Sequence, residues 1–225
     1  MTNKIEGTFT ASSYSGLCDK LGNLDSDLKV VLDKFGYPPM WSRPNTFETL
    51  VHIILEQQVS LASAKAALEK LRSEMTDITP EGFLRLNDDQ LRSCYFSRQK
   101  TSYARNLAHQ IVNEGFSLQS LETLPDQQVR EAMVSLKGIG NWTADIYLMF
   151  TLHRTDIFPS GDLAAVKAMR TVKKLDAAVT KEQLISLAAA WSPYRTIATM
   201  ILWHFYLSVR IKSNTLPEVK AQASL

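Results

Sequence analysis

The sequence has few of the residues from which disulfide frameworks and metal clusters are built. Its 225 residues include two cysteines, Cys18 and Cys94, and four scattered histidines. Two cysteines cannot form a disulfide framework or hold a four-cysteine iron–sulfur cluster, and the histidines show no zinc-ligand spacing. No apolar run approaches the ~20 residues of a membrane helix, and the N-terminus lacks the apolar segment of a signal peptide. These absences favour a reducing intracellular compartment.

The net charge of +2 is too small to indicate a class of partner. The distribution of charge is more informative, because residues 160–212 carry eight basic and three acidic side chains, a local excess of +5. A basic segment of this kind suits phosphate binding, although any single lysine in it is equally well explained as part of a solvated helix face.

Helical periodicity dominates the chain, and we find no convincing strand alternation. Several apolar segments follow residues that commonly cap helices, namely Thr46, Ser60, Thr79, Asn87 and Thr180. Residues 1 to 22 differ, because they are rich in Ser, Thr and Gly and only weakly periodic, and we expect a loose arm packed across the core. With 45% hydrophobic residues, the chain can bury one substantial core or two closely packed helical lobes.

The most informative segment is residues 136–144, LKGIGNWTA. Gly138 and Gly140 can adopt backbone angles that other residues avoid, and Asn141 is predicted to cap a helix from Trp142 to about residue 152. Such a turn directs several backbone N–H groups and the positive end of the helix dipole at one point, where a phosphate oxygen fits without any sequence readout. An ordinary helix-turn-helix corner, in which Gly138 ends the preceding helix, is the alternative.

A second segment, residues 156–163 (DIFPSGDL), places Asp162 at the start of a predicted helix. The helix dipole favours an ionised carboxylate at that position. In isolation such an aspartate is an N-cap that stabilises the helix by about 1 kcal/mol and does nothing more. With the glycine hairpin upstream, it becomes a candidate for chemistry on DNA.

Together the two segments resemble the helix-hairpin-helix (HhH-GPD) DNA glycosylase superfamily, in which the hairpin precedes a Gly/Pro-rich loop and an essential aspartate. The most similar branch is the DNA-3-methyladenine glycosylase II (AlkA-like) group. Residues 53–60 (IILEQQVS) resemble its Q-rich helix end, and the segments 191–195 and 202–204 resemble its closing helix. The likeness covers roughly residues 25 to 212.

The resemblance implies an all-α, two-lobed fold with the active-site cleft between the lobes and without the N-terminal β domain of longer members. We expect residues 46–158 to form a central helical bundle that contains the hairpin. Residues 25–45 and 159–225 are expected to form a lobe from both chain ends, and residues 1–24 an N-terminal arm.

The resemblance also implies a monofunctional DNA glycosylase that flips alkylated purines, such as 3-methyladenine and 7-methylguanine, out of duplex DNA and hydrolyses the N-glycosidic bond as the first step of base excision repair. Asp162 would stabilise the oxocarbenium ion that develops on the sugar. Members that cut the strand carry a lysine at the second residue after the last glycine of the hairpin. Trp142 occupies that position here, and Lys137 lies on the other side of the turn, so we expect no abasic-site lyase activity.

Trp142 and Trp203 match the pocket tryptophans of the group, which bind cationic bases by stacking, although each can instead be a core residue. Ile146 stands where the group has a pocket tyrosine, which changes the expected shape of the pocket. Gln58 matches the wedge that fills the gap left by a flipped base. The other expected DNA contacts are Gln57, Lys137, Gly138, Gly140 and Thr143.

No cofactor is expected to be required, but hairpins of the family bind Na⁺ or K⁺ through main-chain carbonyls. The matching positions are Val134, Leu136 and Ile139. The expected partner is double-stranded DNA containing alkylated bases, with no membrane, and the chain is expected to be a monomer in a bacterial cytoplasm or a nucleus.

Three alternatives remain open at this point. The chain can be a glycosylase for another damaged base, such as an oxidised or mismatched one. It can be a non-catalytic helix-hairpin-helix protein, which would need the hairpin but neither Asp162 nor Trp203. A catalytically inactive adaptor between proteins is the third interpretation.

Overall fold

A computed structural model describes the backbone of residues 7–215 and the side chains of residues 7–210. All regular secondary structure in this range is helical, as the sequence predicts, and one isolated bridge pairs Thr8 with Arg154. The α-helices are α1 (Ala11–Leu24), α2 (Ser26–Phe35), α3 (Phe47–Glu56), α4 (Leu61–Glu74), α5 (Pro80–Arg85), α6 (Asp88–Ser93), α7 (Arg98–Asn113), α8 (Leu118–Leu121), α9 (Asp126–Val134), α10 (Asn141–Phe150), α11 (Leu163–Val172), α12 (Lys181–Ala188) and α13 (Arg195–Thr215). Within residues 7–215, no helix is both long and apolar enough to cross a lipid bilayer.

The described residues form two compact units. The first holds residues 7–8 and 41–159, and the second holds residues 9–40 and the chain from Ser160 onward. In the first unit α3 packs against α4, α7 and α10, and every residue of α10 from Thr143 to Phe150 is buried. A helix that is buried on all sides has a fixed position, which matters because the hairpin leads directly into α10.

The second unit is built around α13, which packs against α1, α2 and α11. A buried carboxylate connects three parts of this unit. Asp25 caps α2 and accepts hydrogen bonds from Trp191 Nε1 at 2.6 Å and from Lys173 Nζ at 2.7 Å. Burial opposes ionisation of Asp25, but the hydrogen bonds from Lys173, Trp191 and Leu28 outweigh it, so the pKa of this carboxyl lies below its ordinary value.

The predicted helix caps are confirmed. Thr46, Ser60, Thr79, Asn87 and Thr180 each accept a hydrogen bond from a backbone N–H in the first turn of the helix that follows. Local hydrogen bonding of this kind depends only on neighbouring residues, and so it can be predicted from sequence.

Two local predictions are wrong. Asn141 does not cap α10, because it is the first residue of the helix, Gly140 is the N-cap, and the helix ends at Phe150. Residues 1 to 22 are not a loose arm over their described part, because Ala11–Leu24 forms α1. Burial of one apolar face at helical spacing outweighs the low helix propensity of the serines and glycines in α1. The residues buried on that face are Tyr14, Leu17, Cys18 and Leu21. Residues 1–6 lie outside the described range.

Candidate active site and DNA-binding hairpin

The hairpin between α9 and α10 requires glycine at its first position. Gly138 has a left-handed backbone with φ of +85°, and a Cβ built on it would lie 2.0 Å from Cγ of Tyr103 on α7. Both the backbone angle and the tyrosine ring therefore exclude a side chain there. The ring of Tyr103 forms the support on which the hairpin rests.

Gly140 occupies a different environment. It is exposed, its backbone is extended, and a Cβ built on it would meet nothing within 4 Å. The protein itself therefore gives no steric reason for a glycine at this position. Gly140 is also the N-cap of α10, which has no side-chain cap hydrogen bond.

Two backbone N–H groups of the hairpin already donate hydrogen bonds within the protein. The N–H of Lys137 donates to Asn106 Oδ1 at 3.1 Å, and the N–H of Ile139 donates to the carbonyl of Leu136 at 3.1 Å. The amides of the first turn of α10, from Gly140 onward, have no carbonyl partner within the helix. The positive end of the α10 dipole lies at these amides, whereas the N–H groups of Lys137 and Ile139 are already bonded within the protein.

The predicted DNA-contacting side chains fall into two sets. Lys137 and Gln58 are exposed, and Gln58, the second residue after the end of α3, has a left-handed backbone with φ of +59°. Gln57 is half-buried, and its Nε2 donates to the carbonyl of Gly138 at 3.0 Å and to Thr143 Oγ1 at 3.1 Å. Thr143 is only 1% exposed, so the structure places it inside the first unit rather than on its surface.

The aromatic and apolar pocket candidates of the first unit lie on one face of α10. Trp142 is half-buried in the first turn, and Ile146 follows it by four residues. Ile146 is only 1% exposed and belongs to the core of the unit. Ile146 therefore packs against other residues of the first unit, and its side chain is not at the surface.

Asp162 is the N-cap of α11 in the second unit. Its Oδ1 accepts the N–H of Ala165 at 2.7 Å and the indole N–H of Trp203, from α13, at 2.9 Å. The carboxylate is only 7% exposed and lies at the positive end of the α11 dipole. Two donors and the dipole hold it in one orientation, and a desolvated carboxylate interacts more strongly with a nearby positive charge than an exposed one does.

These features coincide with a known family. The family model described as HhH-GPD superfamily base excision DNA repair protein matches residues 51–193. The chain belongs to the HhH-GPD superfamily. The matched range includes the hairpin, Asp162, the whole of α10 and the part of α3 from Val51 onward.

Individual HhH-GPD relatives share much of the chain. DNA-3-methyladenine glycosylase 1 of Schizosaccharomyces pombe is 27% identical over 190 residues, which cover 81% of this chain and 83% of that protein. The YfjP protein of Bacillus subtilis is 25% identical over 186 residues, and the matched part spans 79% of this chain but only 65% of that relative. A solved structure of the Schizosaccharomyces pombe 3-methyladenine DNA glycosylase Mag1 in complex with abasic DNA has a TM-score of 0.77, with 27% identity, and covers 84% of this chain and 95% of that chain.

The carbonyls that match the cation site of HhH-GPD hairpins lie where α9 ends. Val134 is the last residue of α9, and the carbonyl of Leu136 accepts the N–H of Ile139. Of these three carbonyls, that of Val134 lies at the negative end of the α9 dipole, where a cation is favoured over an anion. Among residues 7–210 there is no cluster of three His, Cys, Asp or Glu side chains that would hold a metal in another way.

Sequence reasoning missed the side chains that support the hairpin. Tyr103 and Asn106 lie three residues apart on one face of α7, about thirty positions before the residues that they contact. Nothing in the local sequence identifies such partners, because their function depends on how α7 packs. Trp203, by contrast, was identified by resemblance, but its hydrogen bond to Asp162 was not predicted.

Proposed function

We propose that this protein is a monofunctional DNA glycosylase that excises alkylated purines from duplex DNA by flipping the base and hydrolysing its N-glycosidic bond. The observation that carries the proposal is the Asp162 carboxylate, which is 7% exposed and held by the N–H of Ala165 and the indole of Trp203. The names of the Schizosaccharomyces pombe relatives support the lesion class, since they specify 3-methyladenine.

The chemistry follows from the charge that builds during the reaction. As the glycosidic bond breaks, the deoxyribose becomes an oxocarbenium ion, and a fixed carboxylate stabilises that cation and orients the attacking water. Because Asp162 is already oriented, little reorganisation is needed when the charge appears. The leaving base takes the bonding electron pair, which is favourable for a purine that already carries the positive charge of alkylation.

The DNA backbone is proposed to bind at the hairpin. The start of α10 and its dipole would face the phosphate, and Gly140 would allow it to approach closely because no side chain intervenes. This contact carries no base information and so serves damaged and intact DNA alike. Na⁺ or K⁺ at the carbonyls of Val134, Leu136 and Ile139 is proposed as a structural ion of this hairpin, with no step of the reaction depending on it.

The remaining roles are assigned to exposed or half-buried side chains. Gln58 is proposed as the wedge, and Trp142 and Trp203 as aromatic contacts for a flipped, cationic base. With Trp142 in the position of the strand-cutting lysine, no amine is available there to form a Schiff base, so the product is an intact strand with an abasic site. We propose that the chain acts as a monomer on cellular DNA.

The test is release of free bases from methylated duplex DNA, identified by mass spectrometry. The proposed function requires free 3-methyladenine or 7-methylguanine to appear with wild-type protein, and strand breaks to appear only after alkali is added. Release of another damaged base alone would indicate the alternative lesion class. Tight binding to DNA without release of any base would indicate a non-catalytic protein.

A further inference from the structure

The side chain of Gln57 joins the end of α3 to the proposed DNA-binding hairpin. Gln57 follows the last residue of α3, and its amide donates to the Gly138 carbonyl at 3.0 Å and to Thr143 Oγ1 at 3.1 Å. A glutamine amide has two hydrogens, and these two acceptors use both. While both hydrogen bonds are formed, the Gln57 amide has no hydrogen left to donate to a DNA base.

The neighbouring contacts make this connection rigid. Lys100 on α7 donates from Nζ to the Leu55 carbonyl at 2.7 Å, near the end of α3. From the same helix, Asn106 accepts the N–H of Lys137, and the ring of Tyr103 lies against Gly138. One helix thus supports both the end of α3 and the hairpin, and Gln57 links these two supported segments directly.

The residue after Gln57 is in a different state. Gln58 is exposed and has a left-handed φ of +59°, a conformation that costs free energy for a residue with a Cβ and persists only when its surroundings impose it. Its neighbour Gln57 is held in place by the two hydrogen bonds of its amide. These hydrogen bonds therefore fix the point of the backbone from which Gln58 projects.

We infer that Gln57 is a positioning residue rather than a DNA contact, and that it sets the wedge at Gln58 in register with the phosphate-binding hairpin. The inference rests on the proposed function of the hairpin and of Gln58. A duplex held at its phosphates by the hairpin must meet the wedge at a fixed separation for a base to be displaced. Loss of the Gln57 hydrogen bonds would leave both parts folded but no longer in register.

Two variants separate this role from direct DNA contact. Gln57→Met keeps the length of the side chain and removes its donors. Thr143→Val keeps the shape of a residue that is 1% exposed and removes one acceptor. The matched control is Gln127→Met, since Gln127 is exposed and its amide bonds only to Glu131 of its own helix.

We expect Gln57→Met, which removes both hydrogen bonds, to reduce the single-turnover excision rate on 7-methylguanine duplex by tenfold or more, on the order of one to two hydrogen bonds. Thr143→Val leaves the bond to the Gly138 carbonyl and should reduce the rate less, by roughly several-fold. The Kd of both variants for undamaged duplex should stay within about twofold of wild type, since the phosphate contacts remain. The double variant should be little slower than Gln57→Met alone, because Gln57→Met already removes the hydrogen bond that Thr143→Val removes. Gln127→Met should match wild type in every measurement.

Three results would overturn the inference. Weakened binding of undamaged duplex by Gln57→Met, with wild-type excision by Thr143→Val, would make Gln57 a direct DNA contact. Wild-type excision by both variants would remove any role for the connection. Loss of excision and of undamaged-duplex binding together, with a lowered Tm, would make Gln57 merely structural.

A measurement independent of catalysis separates this inference from the proposed function. Amide hydrogen exchange of residues 138–141 should be faster in Gln57→Met and Thr143→Val than in wild type or Gln127→Met. Wild-type protein that releases no base would refute the proposed function alone. Unchanged exchange in both variants would refute the connection alone.

Discussion

Two helix N-termini of this protein are capped in opposite ways. At α10 the N-cap is Gly140, which supplies no side-chain hydrogen bond and leaves open space around its Cα. At α11 the N-cap is Asp162, whose own carboxylate binds the first turn through the N–H of Ala165. A helix start without a side-chain cap offers its dipole and amides to an external anion, whereas a start capped by aspartate keeps a negative charge of its own. In the proposed function, the same local structure would serve phosphate binding at α10 and electrostatic catalysis at α11.

The largest expected effect is the loss of catalysis when the charge at α11 is removed. Asp162→Asn keeps a residue that caps helices well, so the free energy of unfolding should change by less than about 1 kcal/mol. Excision of 7-methylguanine should fall by about 100-fold or more, because an amide cannot supply a full negative charge to the oxocarbenium ion. Single-turnover base release and urea denaturation test the two parts. Excision near the wild-type rate would remove Asp162 from the mechanism.

A second prediction contrasts the two glycines of the hairpin. Gly138→Ala should destabilise the protein by roughly 2 kcal/mol or more, because the new Cβ would collide with Tyr103 on a left-handed backbone. Gly140→Ala meets no protein atom within 4 Å and should leave the Tm near that of wild type. It should nevertheless weaken binding to damaged and intact duplex alike, by about tenfold, because the methyl group obstructs a phosphate.

Binding titrations over a range of salt concentrations, with thermal denaturation of each variant, check this contrast. Gly140→Asp should weaken binding further than Gly140→Ala, since a carboxylate repels phosphate. Unchanged DNA affinity in both Gly140 variants would mean that the α10 N-terminus has only a structural function.

Features that depend on neighbouring residues in the chain can be predicted from the sequence, whereas features that depend on contacts between distant segments cannot. The caps at Thr46 and Ser60 and the all-α class follow from local patterns, and each is confirmed. The sequence predicts the cap of α10 one residue too late, because Asn141 is of a strong capping type and Gly140 has no side chain to mark it as a cap. The support of the hairpin by Tyr103 and Asn106 was not predictable, since it depends on the packing of α7 and no local pattern encodes it.

A third prediction concerns the indole of Trp203, which donates to the proposed catalytic carboxylate of Asp162. Trp203→Phe retains an aromatic ring and removes the N–H that donates to Asp162 Oδ1 at 2.9 Å. We expect excision to fall by about tenfold, the equivalent of one hydrogen bond to a charged group, with intact-duplex affinity unchanged. Trp203→Ala should reduce excision further if the ring also stacks on the base. Equal rates for Trp203→Phe and wild type would show that the indole N–H does not contribute.

The smallest expected effect on catalysis comes from a second capping aspartate, Asp25, which serves as a control for Asp162. Asp25 also begins a helix, but its carboxylate is bound by the ammonium of Lys173 and by Trp191, and its pKa is lowered from an ordinary 3.8. Because the folded pKa is below the unfolded one, its contribution to stability is present above about pH 4 and is lost as pH falls through the lowered pKa. Asp25→Asn should therefore reduce the free energy of unfolding at pH 7 by roughly 2 kcal/mol and flatten its dependence on pH below 4.

At a temperature where the Asp25→Asn variant stays folded, its excision rate should equal that of wild type. Urea denaturation at pH 7 and pH 3.5, together with base release at pH 7, would distinguish the two aspartates: Asp25 should affect stability without affecting the rate, and Asp162 the rate without affecting stability.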